Sequence, residues 1–143
     1  MKKFLSVILI IVMFSSCSYG AAKKKGNKSA KVDLDLTKFS SVMVYSALFN
    51  VLTNPSAYIG QTIKIKGQFD FFHDEDTDKN YFGVMVMDAS ACCSTGIDFV
   101  LKKNYNYPSD YPEVGEVITV AGKFEQYQED GITYCHLVEA DIL

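Results

Sequence analysis

The clearest fold signal in this chain is the stretch TIKIKGQF, residues 62–69. Apolar and polar side chains alternate along it, with Ile63, Ile65 and Phe69 on one face. This alternation is typical of a β-strand that buries one face and exposes the other. Gly67 interrupts the apolar face, as glycine does where a strand bends sharply around a barrel.

Four further stretches have strand character, at residues 81–87, 97–101, 117–127 and 132–142. Gly122 lies at a second bend position, and a connector rich in Tyr and Pro separates the third strand from the fourth. Together these features predict an all-β fold with one N-terminal helix, a five-stranded OB-fold-like Greek-key barrel. Another small barrel or a half-open sandwich is the alternative.

The N-terminal helix is predicted at residues 41–52, where Thr37 or Ser40 can cap it and the sequence Asn54-Pro55 ends it. The residues expected to face the sheet follow a three-four spacing: Val42, Tyr45, Leu48, Phe49 and Leu52.

The first sixteen residues have the layout of a signal peptide, with a basic start and an apolar run before small residues. Residues 14–17 resemble a bacterial lipobox, which makes Cys17 the predicted lipid anchor, carrying an acyl chain such as palmitate. Ordinary cleavage after Gly20 or Ala22 is the alternative. We therefore predict a signal peptide (1–16), a lipidated, Lys-rich flexible tether (17–36) and an OB-fold-like domain (37–143).

Charge is distributed unevenly along the chain. From Ser40 onward there are six lysines and fifteen acidic residues, a net charge of −9, while five lysines lie between residues 23 and 31. The basic tether can lie against anionic lipid headgroups, or it can serve solubility alone. So acidic a domain is a poor binder of nucleic acid, and the predicted location is the cell envelope, on its periplasmic or extracellular face.

The candidate ligand site consists of Cys92 and Cys93 before the third strand and Cys135 and His136 on the fifth. These two strands run parallel in an OB barrel, so we expect their beginnings to meet at one end. Three interpretations stay open. The four residues can form a Cys3His zinc site, Cys135 can form a disulfide with a loop cysteine, or the thiols can be inert and buried.

Two other groups of residues each have a structural explanation as well as a functional one. Residues 73–78, HDEDTD, contain half of a calcium-binding loop, but Lys79 stands where that loop needs glycine, so a hairpin turn is favoured. Several tyrosines can form a stacking platform or pack against the core: Tyr81, Tyr105, Tyr107, Tyr111 and Tyr127. Since no catalytic motif is recognisable, the chain is not expected to be an enzyme.

Several segments resemble uncharacterised exported bacterial OB-fold-like lipoproteins. They are the run from Asn54 to Gly67 (NPSAYIGQTIKIKG), DASACCSTGIDF at 88–99, YPEVG at 111–115 and GITYCHLVEA at 131–140. The cysteine pair is also similar to part of a membrane protein family that is encoded with predicted permeases and suspected of a role in zinc handling. The first resemblance implies fold and location, and the second implies zinc and a permease partner.

These observations lead to two functional hypotheses. The first is an exported, membrane-tethered binding module whose ligand is a metal ion, a glycan or an envelope protein. The second is a structural or protein-interaction lipoprotein whose cysteines only stabilise the barrel by a disulfide.

Overall fold

The structure is a computed structural model that describes residues 31–143. The predicted signal peptide, Cys17 and most of the predicted tether lie outside the described residues. Within the described part of the chain, no helix is both long enough and apolar enough to cross a membrane.

Five long strands form the barrel: β2 (Thr62–Asp74), β3 (Lys79–Met87), β4 (Ser94–Leu101), β5 (Val117–Glu129) and β6 (Ile132–Ile142). They pair in the order β2-β3-β4-β6-β5, and β5 pairs back onto β2 to close the ring. Neighbouring strands of the ring are antiparallel except for β4 and β6, which are parallel. The predicted all-β, OB-like barrel is therefore confirmed.

Strand β2 belongs to both sides of the barrel, because its first half pairs with β5 and its second half with β3. Gly67 lies where the two pairings meet. A β-carbon at this position would come within 2.4 Å of the Met85 carbonyl oxygen, so only glycine fits the bend. Gly122 plays the same part beside a register shift in β5, since a β-carbon there would lie 2.9 Å from that of Leu137.

The core fills the barrel with the side chains that the alternation predicts. The buried hydrophobic residues on the strands are Ile63, Ile65, Phe69, Val84, Val86, Ile97, Phe99, Ile118, Val120, Phe124, Leu137 and Ala140. Leu101, at the end of β4, is only partly buried.

Helix α1 (Ser41–Thr53) begins after Ser40 and ends at Asn54, close to the predicted bounds, but Ser40 makes no side-chain capping bond. Its buried residues are Val44, Leu48 and Val51. The predicted face was therefore wrong in part, since Val42 and Phe49 are more than half exposed. Apolar residues surround this helix on all sides, so its sequence cannot specify which stripe packs on the barrel.

The chain joins the domain earlier than predicted. Leu34–Asp35 form a short strand, β1, parallel to the start of β2, and Leu36 is fully buried. The predicted tether, residues 17–36, therefore extends too far, because its last residues bury an apolar side chain and pair with the sheet.

Candidate metal centre

The loop between β3 and β4 is organised around Asp88. Its Oδ1 atom accepts hydrogen bonds from the backbone N–H groups of Ser90 and Cys92, both at 3.1 Å. The backbone N–H of Asp88 donates to the Cys93 carbonyl at 2.9 Å, and Ala91 takes a left-handed conformation with φ of 54°. This tight turn brings the two cysteines back toward the carboxylate that precedes them.

Asp88, Cys92 and Cys93 place three potential ligand atoms within 4.8 Å of one another. The two sulfur atoms are 3.7 Å apart, and the Cys92 sulfur lies 3.5 Å from Asp88 Oδ2. For a tetrahedral zinc ion with usual bond lengths, two sulfurs are about 3.8 Å apart, and a sulfur and an oxygen about 3.5 Å. Two of the three distances therefore match a zinc tetrahedron, and the third, between Cys93 and Asp88, is below 4.8 Å.

The ionisation of this cluster follows from its hydrogen bonds. The hydrogen bond with Cys92, the charge of Asp88 and partial desolvation raise the pKa of the Cys93 thiol. Desolvation works against ionisation of Asp88, but hydrogen bonds from Ser90, Cys92 and Cys93 lower the pKa of this carboxyl. The cluster without metal thus holds a carboxylate and a protonated thiol, and a bound cation would displace the thiol proton.

Cys135 and His136 do not join the cluster. In the parallel β4–β6 pairing His136 lies opposite Asp98, which puts Cys135 next to Ile97. Ile97 is four residues beyond Cys93, roughly 13 Å along an extended strand. The predicted Cys3His set is therefore not assembled, because Cys135 lies inside strand β6 rather than at its start.

The cysteines of the described residues, Cys92, Cys93 and Cys135, are all free thiols, so none forms the disulfide considered above. Cys135 is partly buried, and burial raises the pKa of its thiol. The candidate ligand that sequence reasoning missed is Asp88. Its position four residues before the first cysteine in a small polar loop was the available signal.

His136 belongs instead to a groove on the outer surface of the barrel, across β3, β4, β5 and β6. The groove has a volume of about 500 Å³. Among its lining residues are Tyr81, Phe82, Asp98, Lys103, Asn104, Tyr105, Tyr111, Tyr127, Glu129 and His136. A smaller extension, about 250 Å³, shares Tyr81, Asp98, Tyr127 and Glu129 with it.

Aromatic rings form much of the groove wall. Tyr127 stacks on His136 with 4.4 Å between ring centroids and on Tyr134 at 5.5 Å. Burial is the main cause that raises the pKa of Tyr127 to about 12, and burial lowers the pKa of His136. Both side chains are therefore uncharged at neutral pH.

The other predicted tyrosines mostly pack against the barrel. Tyr111 stacks on Phe82 at 4.1 Å, and Tyr107 stacks on Phe71 at 4.2 Å. These contacts attach the long connector between β4 and β5 to the barrel wall. Tyr107 and Tyr111 thus follow the packing interpretation, while the stacking platform remains a prediction for the tyrosines that line the groove.

Carboxylates at the groove differ in how they are satisfied. Glu129 accepts a hydrogen bond from the Tyr81 hydroxyl at 2.7 Å and forms an ion pair with Lys79. The bond to Glu129 is the main cause that raises the pKa of Tyr81 to about 12. By contrast, the Asp98 carboxylate has no hydrogen-bond or ion-pair partner among the described residues, and burial raises its pKa.

The predicted hairpin turn accounts for the acidic stretch between β2 and β3. Asp74 accepts hydrogen bonds from the Asp76 backbone and the Thr77 hydroxyl, at 2.9 Å and 2.8 Å. Its carboxylate is thus occupied within the turn itself.

No protein-family model matches the chain, and no curated protein matches it. One similar solved structure is a Klebsiella pneumoniae lipoprotein that has been provisionally called nucleic acid-binding. It is 20% identical, with a TM-score of 0.40, over 67% of this chain and 81% of that one. A likeness of this size carries no functional information.

Proposed function

We propose that this chain is an exported, membrane-tethered OB-fold binding module that holds a zinc ion with Asp88, Cys92 and Cys93. The observation that carries the proposal is the match between the sulfur–sulfur and sulfur–oxygen distances, 3.7 and 3.5 Å, and those of a zinc tetrahedron. The function is binding rather than catalysis.

The ligand set favours zinc over other cations. Two thiolates exclude Mg²⁺ and Ca²⁺, which take oxygen ligands, while the carboxylate oxygen is a poor partner for the soft Cu(I) ion. Zinc accepts both donor types in one tetrahedral shell.

The proposed site is exposed and incomplete. Cys92 and Cys93 are both exposed, and the three side chains leave the fourth corner of a tetrahedron free. A water molecule or a side chain of an envelope protein, such as a permease, would complete the shell. An open site of this kind suits the transfer of zinc to or from a partner better than permanent structural zinc.

Attachment to a membrane through Cys17 is supported by the lipobox-like sequence and the Lys-rich segment that follows it. The acidic domain would be held away from anionic headgroups while the basic segment lies against them. Intact-mass analysis from the native host tests the anchor. Loss of sixteen residues with an acyl mass on Cys17 supports it, and a mature chain beginning at Ala21 or Lys23 contradicts it.

Zinc content and competition with a chromogenic chelator test the proposed site on the full chain. We expect one zinc per chain, lost in Cys93→Ser because one of three protein ligands is removed. Cys135→Ser is the matched control, since it removes a thiol outside the cluster. A wild-type chain without stoichiometric zinc, or equal loss in both variants, would overturn the proposal.

A further inference from the structure

The groove that contains His136 is separate from the proposed metal site and has the dimensions of a ligand site. Its volume of about 500 Å³ falls within the roughly 300–1,000 Å³ typical of small-molecule pockets. Its wall combines tyrosine rings with a few polar groups, which is the usual composition of such pockets.

Asp98 is the central polar group of this groove. It lies between Gly83 of β3 and His136 of β6 in the strand register, and it lines both the groove and its extension. Gly83 places no side chain beside Asp98, and a β-carbon there would already be in contact with Asp98 Oδ1, at 3.4 Å.

The Asp98 carboxylate is partly desolvated yet unpaired within residues 31–143. Its oxygens are still open to solvent, and in these partly desolvated surroundings a cation would interact with the carboxylate more strongly than it would in bulk water. The nearby Glu129 already engages Lys79 and Tyr81, so neither of these groups pairs with Asp98.

The charge of the groove identifies the chemical class of the ligand. Lys103 is its sole cationic lining residue, against Asp98 and Glu129, and the surrounding domain carries a net charge of −9. Phosphates and nucleic acids would be repelled, whereas cations would be attracted and concentrated. Tyrosine rings also favour cations, through the negative electrostatic potential of their faces.

We propose that this groove binds a small organic cation, an ammonium or guanidinium group attached to an apolar body. The charged group pairs with Asp98, and the apolar body lies along Tyr81 and Tyr127. This site is independent of zinc, so it stands or fails separately from the metal centre.

Phenethylamine and 2-phenylethanol form a matched pair of probes, because they differ mainly in a charged amine against a neutral hydroxyl. Binding to the full chain is followed by NMR titration of the backbone amides. We expect phenethylamine to shift the amides around Asp98 and Tyr127 and to bind about tenfold more tightly than the alcohol. Asp98→Asn should abolish that preference. Asp141→Asn, which removes an exposed charge from β6, should preserve it.

Three outcomes would overturn the proposal. They are equal binding of the two probes, an unchanged preference in Asp98→Asn, and shifts at the same amides with cellobiose but not with phenethylamine. The last result would identify a saccharide groove, which the OB fold also accommodates. Circular dichroism of Asp98→Asn verifies that a lost preference does not reflect unfolding.

Discussion

Asp88 and Asp98 lie at the two ends of one short segment, yet their carboxylates differ in their hydrogen-bond partners and in the direction of their pKa shifts. Asp88 accepts hydrogen bonds from its own loop, which lower its pKa, whereas Asp98 is unpaired and burial raises its pKa. The first carboxylate accepts hydrogen bonds from residues close in sequence, and we propose that it shares a metal ion with two thiols. The second is placed by three strands, has no hydrogen-bond or ion-pair partner among residues 31–143, and faces the groove.

The comparison implies that the two sites depend on the barrel to different degrees. The three proposed metal ligands come from one loop, while the groove needs β3, β4, β5 and β6 in register. A substitution that weakens barrel closure should therefore lower ligand binding in the groove more than zinc binding in the loop.

Gly67→Ala should have the largest effect. The new β-carbon would meet the Met85 carbonyl at 2.4 Å, and such overpacking costs roughly 1–3 kcal/mol of unfolding free energy. Urea unfolding measures the loss, and phenethylamine binding should fall with the folded fraction while zinc binding falls less.

Gly83→Ala is the matched control for this prediction. A β-carbon at Gly83 would meet its nearest neighbour, Asp98 Oδ1, at 3.4 Å, which is an ordinary contact distance, so stability should change little. Equal destabilisation by the two substitutions would refute the account of the Gly67 bend. Parallel loss of both ligands in Gly67→Ala would refute the independence of the metal loop.

Smaller effects on the melting temperature are expected when the carboxylates of Asp98 and Asp88 are neutralised one at a time. A carboxyl whose pKa is raised in the fold favours folding while protonated, and this stability is lost as the pH rises from its ordinary value of 3.8 through the folded pKa. Asp98→Asn should therefore raise the melting temperature at neutral pH, and its advantage should vanish below about pH 3.8.

Asp88→Asn should act in the opposite direction. The lowered pKa of Asp88 contributes stability above its ordinary value, and this contribution is lost as the pH falls through the folded pKa. Thermal melts of both variants from acid to neutral pH provide the measurement. A lower melting temperature for Asp98→Asn at pH 7 would show that its carboxylate is satisfied after all.

Much of the fold could be predicted because its signals are local. Alternation located the strands, and Gly67 and Gly122 interrupt it where the barrel bends. The packing face of α1 was not predictable, since the helix is apolar all round and the barrel selects Val44, Leu48 and Val51.

The candidate sites were likewise predictable where their signals are local and not where they depend on strand pairing. Cys92 and Cys93 were recognisable as a pair, but the role of Asp88 depends on a turn with Ala91 in a left-handed conformation. Cys135 was wrongly joined to the pair because the β4–β6 register is a long-range property. Asp98 was missed for the same reason, since its position opposite Gly83 and His136 exists only once the strands have paired.

X-ray absorption at the zinc edge of the loaded full chain tests the proposed metal centre most directly. We predict two sulfur neighbours at about 2.3 Å and light-atom neighbours, Asp88 and an exchangeable donor, at about 2.0–2.2 Å. The spectrum should be unchanged in Cys135→Ser. Three sulfurs with an imidazole nitrogen would contradict this account, because that shell requires Cys135 and His136 to reach the loop.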